Sequence, residues 1–303
     1  SSINAGRGGM WLLDPYNYTI STSNQQRDIQ NALNNGNSVT ITTSSKSFTP
    51  SGGSSISGSS SSYGGIALNV SITALIGSGN LTFTTSSSTD TVTISKGINI
   101  KGSLIFAGPG DIQVDVSAIT TGGSQSYGGA LSLGASSTLT ASAITLSKTT
   151  NIGSNTLILA TDSLALGGTV YGNAYSSLVI RPKTASTAIN LGSATSSSGL
   201  SLNDVELEYL IPSGGNHASS ITFGDAESGT GLISYKTAKT ISFTSDLVFT
   251  QKTSGASGIT IGSSFNNAGN VLIRAGGIVT IASGARITTT SSGDIIVVGD
   301  QIK

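Results

Sequence analysis

The sequence predicts an all-β protein, a right-handed parallel β-helix (a solenoid) with one short helix near its amino terminus. Short runs of alternating apolar and polar residues are separated by Gly, Ser, Asn or Asp, as expected of strands joined by tight turns. Fuller apolar runs recur regularly: Leu157 lies 21 residues before Leu178, and 24 residues separate both Leu247 from Val271 and Val271 from Ile295. A period in the low twenties is typical of solenoid repeats.

The composition supports a folded chain with few charged groups. Of the 303 residues, 9% are charged, against about a quarter in an average globular domain. The 40 glycines and abundant Ser and Thr suit a flexible linker, but a hydrophobic content of 36% supplies a core. The net charge is zero without a basic stripe, so nucleic acid is not an expected partner. The chain has no Cys, which fits an exported protein that folds without disulfides.

Residues 1–64 are predicted to form a separate amino-terminal module of strand, helix and strand. Ser23 and Gln26 fit the capping-box pattern, in which a hydroxyl caps the helix and a Gln three residues later bonds back. Gly36 follows the helix, where a left-handed residue commonly ends one. The module is completed by a strand over 38–42 and an exposed Ser/Gly-rich loop over 44–64.

Residues 65–303 are predicted to form the β-helix coils. The clearest single coil spans residues 91–116, with strands at 91–94, 98–106 and 111–116. An acidic insertion near 199–214, a strand that continues into a short helical turn, interrupts the pattern and either covers a core end or protrudes. The rival architecture is an array of antiparallel β-sandwiches. The lack of Asn-Gly or Asp-Gly hairpin turns between the predicted strands counts against it.

Several segments resemble filamentous-haemagglutinin-type large exoproteins, which are β-helical adhesins secreted by a two-partner route. The resemblance covers most of the chain, and its most specific part is the tryptophan-containing segment. The similar segments are 9–20 with the helix and strand that follow, 178–182, 199–207 and 284–294.

The resemblance implies a long extracellular shaft at a bacterial cell surface that serves attachment or self-association. It also implies export through an outer membrane by a partner transporter. The amino-terminal secretion domain of that family carries Asn-Pro-Asn motifs, and this chain has no Asn-Pro pair. No secretion-signal residue is therefore carried over, and the chain is expected to be an internal or carboxy-terminal shaft segment or a diverged relative.

Candidate catalytic residues are few. His217 is the only histidine and lies in a Gly-rich, turn-like stretch, so an exposed loop residue is favoured over a general base. Polysaccharide lyases and hydrolases also use β-helices and need several carboxylates on one face. Asp111 and Asp115, four residues apart, lie on one side of a strand, but a solvated outer face is the favoured interpretation.

Two further groups allow a binding hypothesis. Asp204, Glu206 and Glu208 form the densest acidic cluster, for which a mobile loop or a helix amino terminus is favoured over a cation site. Trp11, Tyr16 and Tyr18 have rings that suit stacking on sugars, but Trp11 is expected to pack between the helix and the first coil. No catalytic, cofactor-binding or metal-binding residue is assigned.

The sequence therefore predicts an extracellular structural or adhesive shaft and not an enzyme. The alternative is a polysaccharide-active β-helix enzyme. Expected partners are other copies of the chain, through end-to-end stacking or continuation of a longer shaft, host or neighbouring-cell glycans, and the outer-membrane transporter during export. No cofactor is expected. Ice binding is disfavoured because Thr-x-Thr does not recur in register.

Overall fold

The computed structural model confirms the predicted fold: stacked parallel sheets form a β-solenoid of about 10 turns. The structure describes residues 10–13, 17–43, 47–48, 56–57, 64–192, 199–212, 214–290 and 293–303. Every strand pair among them is parallel except one short antiparallel pair, β4 with β5.

The two helices are α1 (Ser23–Asn34) and α2 (Asp204–Glu208). The strands of the first half are β1 (Met10–Leu13), β2 (Asn17–Ile20), β3 (Ser38–Thr42), β4 (Ser47–Phe48), β5 (Ile56–Ser57), β6 (Gly65–Leu68), β7 (Ile72–Ala74), β8 (Leu81–Thr84), β9 (Thr91–Ile94), β10 (Ile98–Ile100), β11 (Leu104–Ala107), β12 (Asp111–Val114), β13 (Ala118–Thr121), β14 (Gln125–Tyr127), β15 (Leu131–Leu133), β16 (Ser137–Ala141), β17 (Ile144–Leu146) and β18 (Thr150–Asn151).

The strands of the second half are β19 (Thr156–Thr161), β20 (Leu164–Leu166), β21 (Val170–Tyr171), β22 (Ser177–Arg181), β23 (Ile189–Leu191), β24 (Leu200–Leu202), β25 (Ser220–Gly224), β26 (Ile233–Tyr235), β27 (Ile241–Phe243), β28 (Asp246–Thr250), β29 (Ile259–Ile261), β30 (Phe265–Asn267), β31 (Val271–Arg274), β32 (Ile278–Ile281), β33 (Ile287–Thr289), β34 (Ile295–Val298) and β35 (Gln301–Ile302).

The strands stack on three faces, and most coils visit the faces in the same order. The coil that begins with β22 is different, since it places both β23 and β24 on the second face before α2 and β25. The long face is one ten-stranded sheet, which runs β7-β10-β13-β16-β19-β22-β25-β28-β31-β34. The second face holds β1-β3-β8-β11-β14-β17-β20, followed by β24-β23-β26-β29-β32-β35. The third face holds β2-β6-β9-β12-β15-β18-β21, followed by β27-β30-β33.

The predicted spacing equals the register of the long face. Leu157 pairs with Leu178, Leu247 with Val271, and Val271 with Ile295. Each run is therefore one rung of the same sheet. Within a rung, the side chains alternate between core and solvent with a period of two. The core therefore consists of like residues stacked on like, and Phe83, Phe106 and Tyr127 continue it as stacked rings 5.5 and 5.0 Å apart.

The predicted coil at 91–116 needs one correction. The stretch 98–106 is two strands on different faces, β10 and β11, with a corner between them. Gly102 forms this corner, and a Cβ there would lie 2.0 Å from the carbonyl oxygen of Gly79 in the coil below. The backbones of stacked corners thus approach too closely for a side chain. Within 111–116, the strand β12 ends at Val114.

Helix α1 covers the amino-terminal end of the core, with Ile29 and Leu33 buried. The cap lies one residue earlier than the sequence pattern predicts: Thr22 is the N-cap, and its partner in the capping box is Gln25. Starting at Thr22 leaves Gln26 available to donate from Nε2 to the carbonyl of Ser71, at 2.7 Å. Gly36 follows the helix with φ +81°, as predicted.

The side chains of the same helix form hydrogen bonds with the backbone at the open edge of the long face. Side chains one helical turn apart, those of Gln26, Gln30 and Asn34, bond to the backbone just before, within and just after β7. The Oε1 atom of Gln30 accepts the N–H of Thr73 at 2.8 Å. Because exposed strand edges invite pairing with other chains, this row of amides protects the first rung of the sheet.

Replacing Gln30 with Ala is expected to lower the free energy of unfolding by about 0.5–1 kcal/mol, because the exposed N–H of Thr73 exchanges its acceptor for water. Gln30→Glu keeps an acceptor oxygen and is the matched control. Urea unfolding measures the loss, and amide exchange at Thr73 shows where it occurs. Equal stability of the two variants would contradict the role given to Gln30.

The acidic insertion is confirmed as a strand followed by a helix, β24 and α2. It also adds a rung. Between β20 and β26 the second face holds two strands, β24 and β23, whereas between β19 and β25 the long face holds only β22. Their order is inverted, since β23 precedes β24 in the chain but lies further from the amino-terminal end.

The predicted loop at 44–64 lies largely outside the described residues. Within it, the structure describes β4 and β5, which pair through Ser47 with Ser57 and Phe48 with Ile56.

Candidate functional site

The acidic cluster holds the insertion onto neighbouring coils. Glu206 Oε2 accepts the N–H of Asn203 in a capping box, and its Oε1 accepts the N–H of Leu166 at 2.9 Å. Asp204 Oδ2 accepts the N–H of Ala238, also at 2.9 Å. Asp204 and Glu206 lie in the first turn of α2, where the helix dipole favours negative charge, in agreement with the favoured interpretation.

The remaining acid of the cluster, Glu208, forms an ion pair with Lys239 at 2.5 Å. The three carboxylates are thus engaged by two other parts of the fold, strand β20 at Leu166 and the turn that contains Ala238 and Lys239. Among the described residues, no group of three or more His, Asp or Glu side chains is placed to hold a metal ion.

Asp111 and Asp115 lie on the outer side of the third face, where both side chains are exposed. Asp115 follows the end of β12, and its Oδ1 accepts a hydrogen bond of 2.6 Å from Nε2 of Gln113. This hydrogen-bonded, solvated arrangement matches the favoured interpretation of the pair.

His217 is half-buried, which corrects the prediction of an exposed loop residue. Its segment forms a rung of the solenoid, since the N–H of Gly172 donates to the carbonyl of Asn216. The ring Nδ1 lies 3.1 Å from the carbonyl oxygen of Ala218 and 3.5 Å from Oγ of Ser245. Ser245 is buried and donates to that carbonyl at 2.6 Å, so its proton is not directed to the imidazole as a nucleophile–base pair requires.

The side chains of Trp11 and Tyr16 lie outside the described residues, so their predicted roles remain predictions. Tyr18 is half-buried, and its hydroxyl accepts a hydrogen bond from Gln25 Nε2 at 3.3 Å. Among the described residues, the tyrosines that are exposed are Tyr171 (36% exposed) and Tyr175 (84%). No sequence pattern marks these two residues, because their exposure depends on which way β21 and the following turn face.

A small, half-open pocket lies at the corner between the long and second faces above the insertion. Two buried polar residues, Thr250 and Gln251, line it. Gln251 Nε2 donates to the carbonyls of Gly231 and Gly258 and so bridges two coils. Beside it, Asp225 forms an ion pair with Arg181 at 2.5 Å. Burial raises the pKa of Asp225, but hydrogen bonds from the Glu227 N–H, Ser228 and Arg181 outweigh it and hold the pKa below its usual value.

The outer corners of the solenoid are polar and repeat from coil to coil. A corner side chain accepts the backbone N–H at the equivalent position of the next coil. Asn80 accepts from Ser103, Ser103 from Ser124, and Asn270 from Asp294, at 2.9–3.0 Å. These ladders repeat along the stack and extend the hydrogen bonding of the sheets into the turns.

Neither helix in the described part of the chain is long and apolar enough to cross a membrane. Comparison with known proteins found no match: no family model, no curated protein and no solved structure matches the chain.

Proposed function

We propose that the protein is an extracellular structural shaft of the filamentous-haemagglutinin type, which serves attachment or assembly at a bacterial cell surface. The observation that carries this proposal is the uninterrupted ten-stranded long face, in which each rung repeats the register of the one before. A stack whose backbone is paired between coils, with a continuous core, is a rigid spacer. The sequence segments that resemble those exoproteins support the assignment to the filamentous-haemagglutinin type.

The outer surface supports binding without catalysis. The candidate carboxylates Asp204, Glu206 and Glu208 cap a helix, bridge coils or form an ion pair. Tyr171 and Tyr175 expose aromatic rings on a surface otherwise rich in hydroxyls and amides, a chemistry that suits neutral glycans. The role proposed is therefore that of a non-enzymatic adhesin, exported with the help of an outer-membrane transporter.

We also propose axial assembly at the end opposite α1. Strand β34 is the last rung of the long face, and its Ile295, Ile296 and Val298 are 42–53% exposed. Ile302 on β35 is similarly exposed. The form of assembly proposed is end-to-end stacking of copies of the chain or continuation within a longer shaft, since stacked coils contact only their neighbours along the axis.

The test combines electron microscopy with a panel of cell-wall and plant polysaccharides. We expect rods with a rung spacing of about 4.8 Å, and binding to at least one glycan or cell surface without turnover. Tyr175→Ala, which removes an exposed ring, should weaken glycan binding, while Tyr18→Phe, which keeps its ring, should not. Measurable cleavage of any polysaccharide would contradict the proposal and favour a β-helix lyase or hydrolase.

A further inference from the structure

An apolar stripe runs along the outside of the long face in its second half. The stripe is the row of outward residues Ile158, Val179, Thr222, Val248, Leu272 and Ile296, which are register partners on six consecutive strands. In the first half of the sheet the same row continues as Thr138 and Ala118. The row is therefore aliphatic over β19–β34 except at Thr222 on β25, and small or polar on the two strands before it.

The stripe is partly exposed along its whole length. Ile158, Val179, Val248 and Leu272 are half-buried, and Ile296 is 53% exposed. The outward row is small or polar in the first half of the sheet, whereas a contiguous exposed apolar row is typical of an interaction surface. Within the described residues, no helix and no further sheet packs on the outside of the strands that carry the stripe.

The two borders of the stripe carry opposite charge. On one border, Asp246 and Asp294 flank Asn270, whose N–H and Nδ2 both donate to Asp246 Oδ1. On the other border is Arg274, which is exposed and lies on β31, two residues after Leu272. Arg274 is thus at the height of Asn270, one rung from each aspartate.

We propose that a second copy of the chain packs laterally on this face, with the two shafts parallel. A twofold axis parallel to the shaft places stripe against stripe at equal height and sets the acidic border of each copy against the basic border of the other. Arg274 of one copy then lies between Asp246 and Asp294 of its partner. A twofold axis across the shaft would instead set each border against itself, which opposes like charges.

The available area suits a weak association. Six rungs spaced about 4.8 Å apart, each with about three outward residues, give a patch of roughly 500 Å² on each copy. Two such patches total roughly 1,000 Å², near the lower limit for a specific interface. We therefore expect a dimer with a Kd in the micromolar range, which contacts along a longer shaft would strengthen. The proposal does not depend on adhesion, since an enzyme on the same scaffold would carry the same stripe.

The first experiment is sedimentation equilibrium of the full chain at tens of micromolar. Val248→Lys and Leu272→Lys are each expected to weaken the dimer at least about tenfold, because a charge is buried in the apolar contact. Ala118→Lys, in the same outward row but outside the stripe, is the matched control and should leave it unchanged. A strictly monomeric chain, or equal effects of all three variants, would overturn the proposal.

A charge-reversal pair tests the borders. Arg274→Glu should weaken the dimer about tenfold and Arg274→Glu with Asp294→Lys should recover most of that loss, since the new glutamate then faces a lysine. Circular dichroism of each variant checks that the coils remain folded. A double variant no tighter than the single one would overturn the assignment of Asp294 and Arg274 to opposing borders.

Cysteine cross-linking decides the orientation, because the natural chain has no Cys. In the parallel arrangement a residue of the stripe faces itself, so Val179→Cys, Val248→Cys and Leu272→Cys should each form a disulfide-linked dimer. In an antiparallel pair only the residue nearest the axis would do so. Cross-linking at one position alone, or at none, would overturn the parallel arrangement.

Discussion

Replacing Phe249 with Ala is expected to lower the free energy of unfolding by about 3–5 kcal/mol, the cost typical of removing a fully buried aromatic ring. Phe249 is fully buried on β28, where its ring centroid lies 5.7 Å from that of Phe223, 6.2 Å from Tyr235 and 6.0 Å from Phe265. Removing it leaves a cavity at the centre of a group of aromatic rings that are held by three faces of the solenoid. The surrounding strands are fixed by their ladders and have little freedom to collapse into the space.

Urea unfolding monitored by circular dichroism measures this loss, and Phe249→Leu is the matched control. Leucine keeps most of the volume, so its cost should be clearly smaller than that of alanine. A loss below about 1 kcal/mol for Phe249→Ala would show that the aromatic cluster is not a packing centre. The cluster lies just above the insertion, where the second face gains a rung relative to the long face, and large rings fill the core there.

The parts of the fold that are predictable from the sequence depend on local periodicity. The interval from Leu157 to Leu178 predicts the register of the long face, because the apolar runs recur at equivalent positions of successive rungs. The same periodicity wrongly predicts one strand over 98–106, since the alternation does not change where the chain turns at Gly102. Only the close approach to the coil below, a contact between distant residues, reveals that corner.

The parts that are not predictable depend on contacts distant in sequence. The capping box is predicted one residue late because Thr22 with Gln25 and Ser23 with Gln26 fit the pattern equally well; the contact from Gln26 to Ser71 distinguishes them. The inverted order of β23 and β24 leaves no trace in periodicity.

The surface is the least predictable part. The Gly-rich surroundings of His217 are typical of an exposed loop, yet its segment pairs with the coil that contains β21. The apolar stripe becomes visible only when Val248 and Leu272 are known to be register partners.

Raising the pH is expected to destabilise the fold steeply between pH 10 and pH 12, through two buried tyrosines. Burial raises the pKa of Tyr235 to about 12 from its ordinary value of 10.0; Asp204 also raises it, and a hydrogen bond from Thr237 opposes the rise. Burial raises the pKa of Tyr127 still further. Its hydroxyl donates to Gln125 Oε1 at 2.9 Å, a bond that the phenolate would lose.

The direction of the effect follows from the proton balance of the two states. Below pH 10 both the folded and the unfolded chain keep these phenols protonated, so the full stability is present. Above pH 10 the unfolded chain releases the protons first, and stability falls until the folded-state pKa is reached. For Tyr235 a shift of about two units corresponds to at most about 3 kcal/mol, and Tyr127 adds a loss in the same direction.

Urea unfolding at a series of pH values checks this, with the tyrosinate absorbance recorded on the same samples. Tyr235→Phe should be slightly less stable than the natural chain well below pH 10, because Thr237 loses a hydrogen-bond acceptor. Approaching pH 12 the order should reverse, since phenylalanine has no proton to release. Tyr175→Phe, at an exposed position, is the control and should leave the slope of stability against pH nearly unchanged. If Tyr235→Phe also left that slope unchanged, the burial of the Tyr235 hydroxyl beside Thr237 would be contradicted.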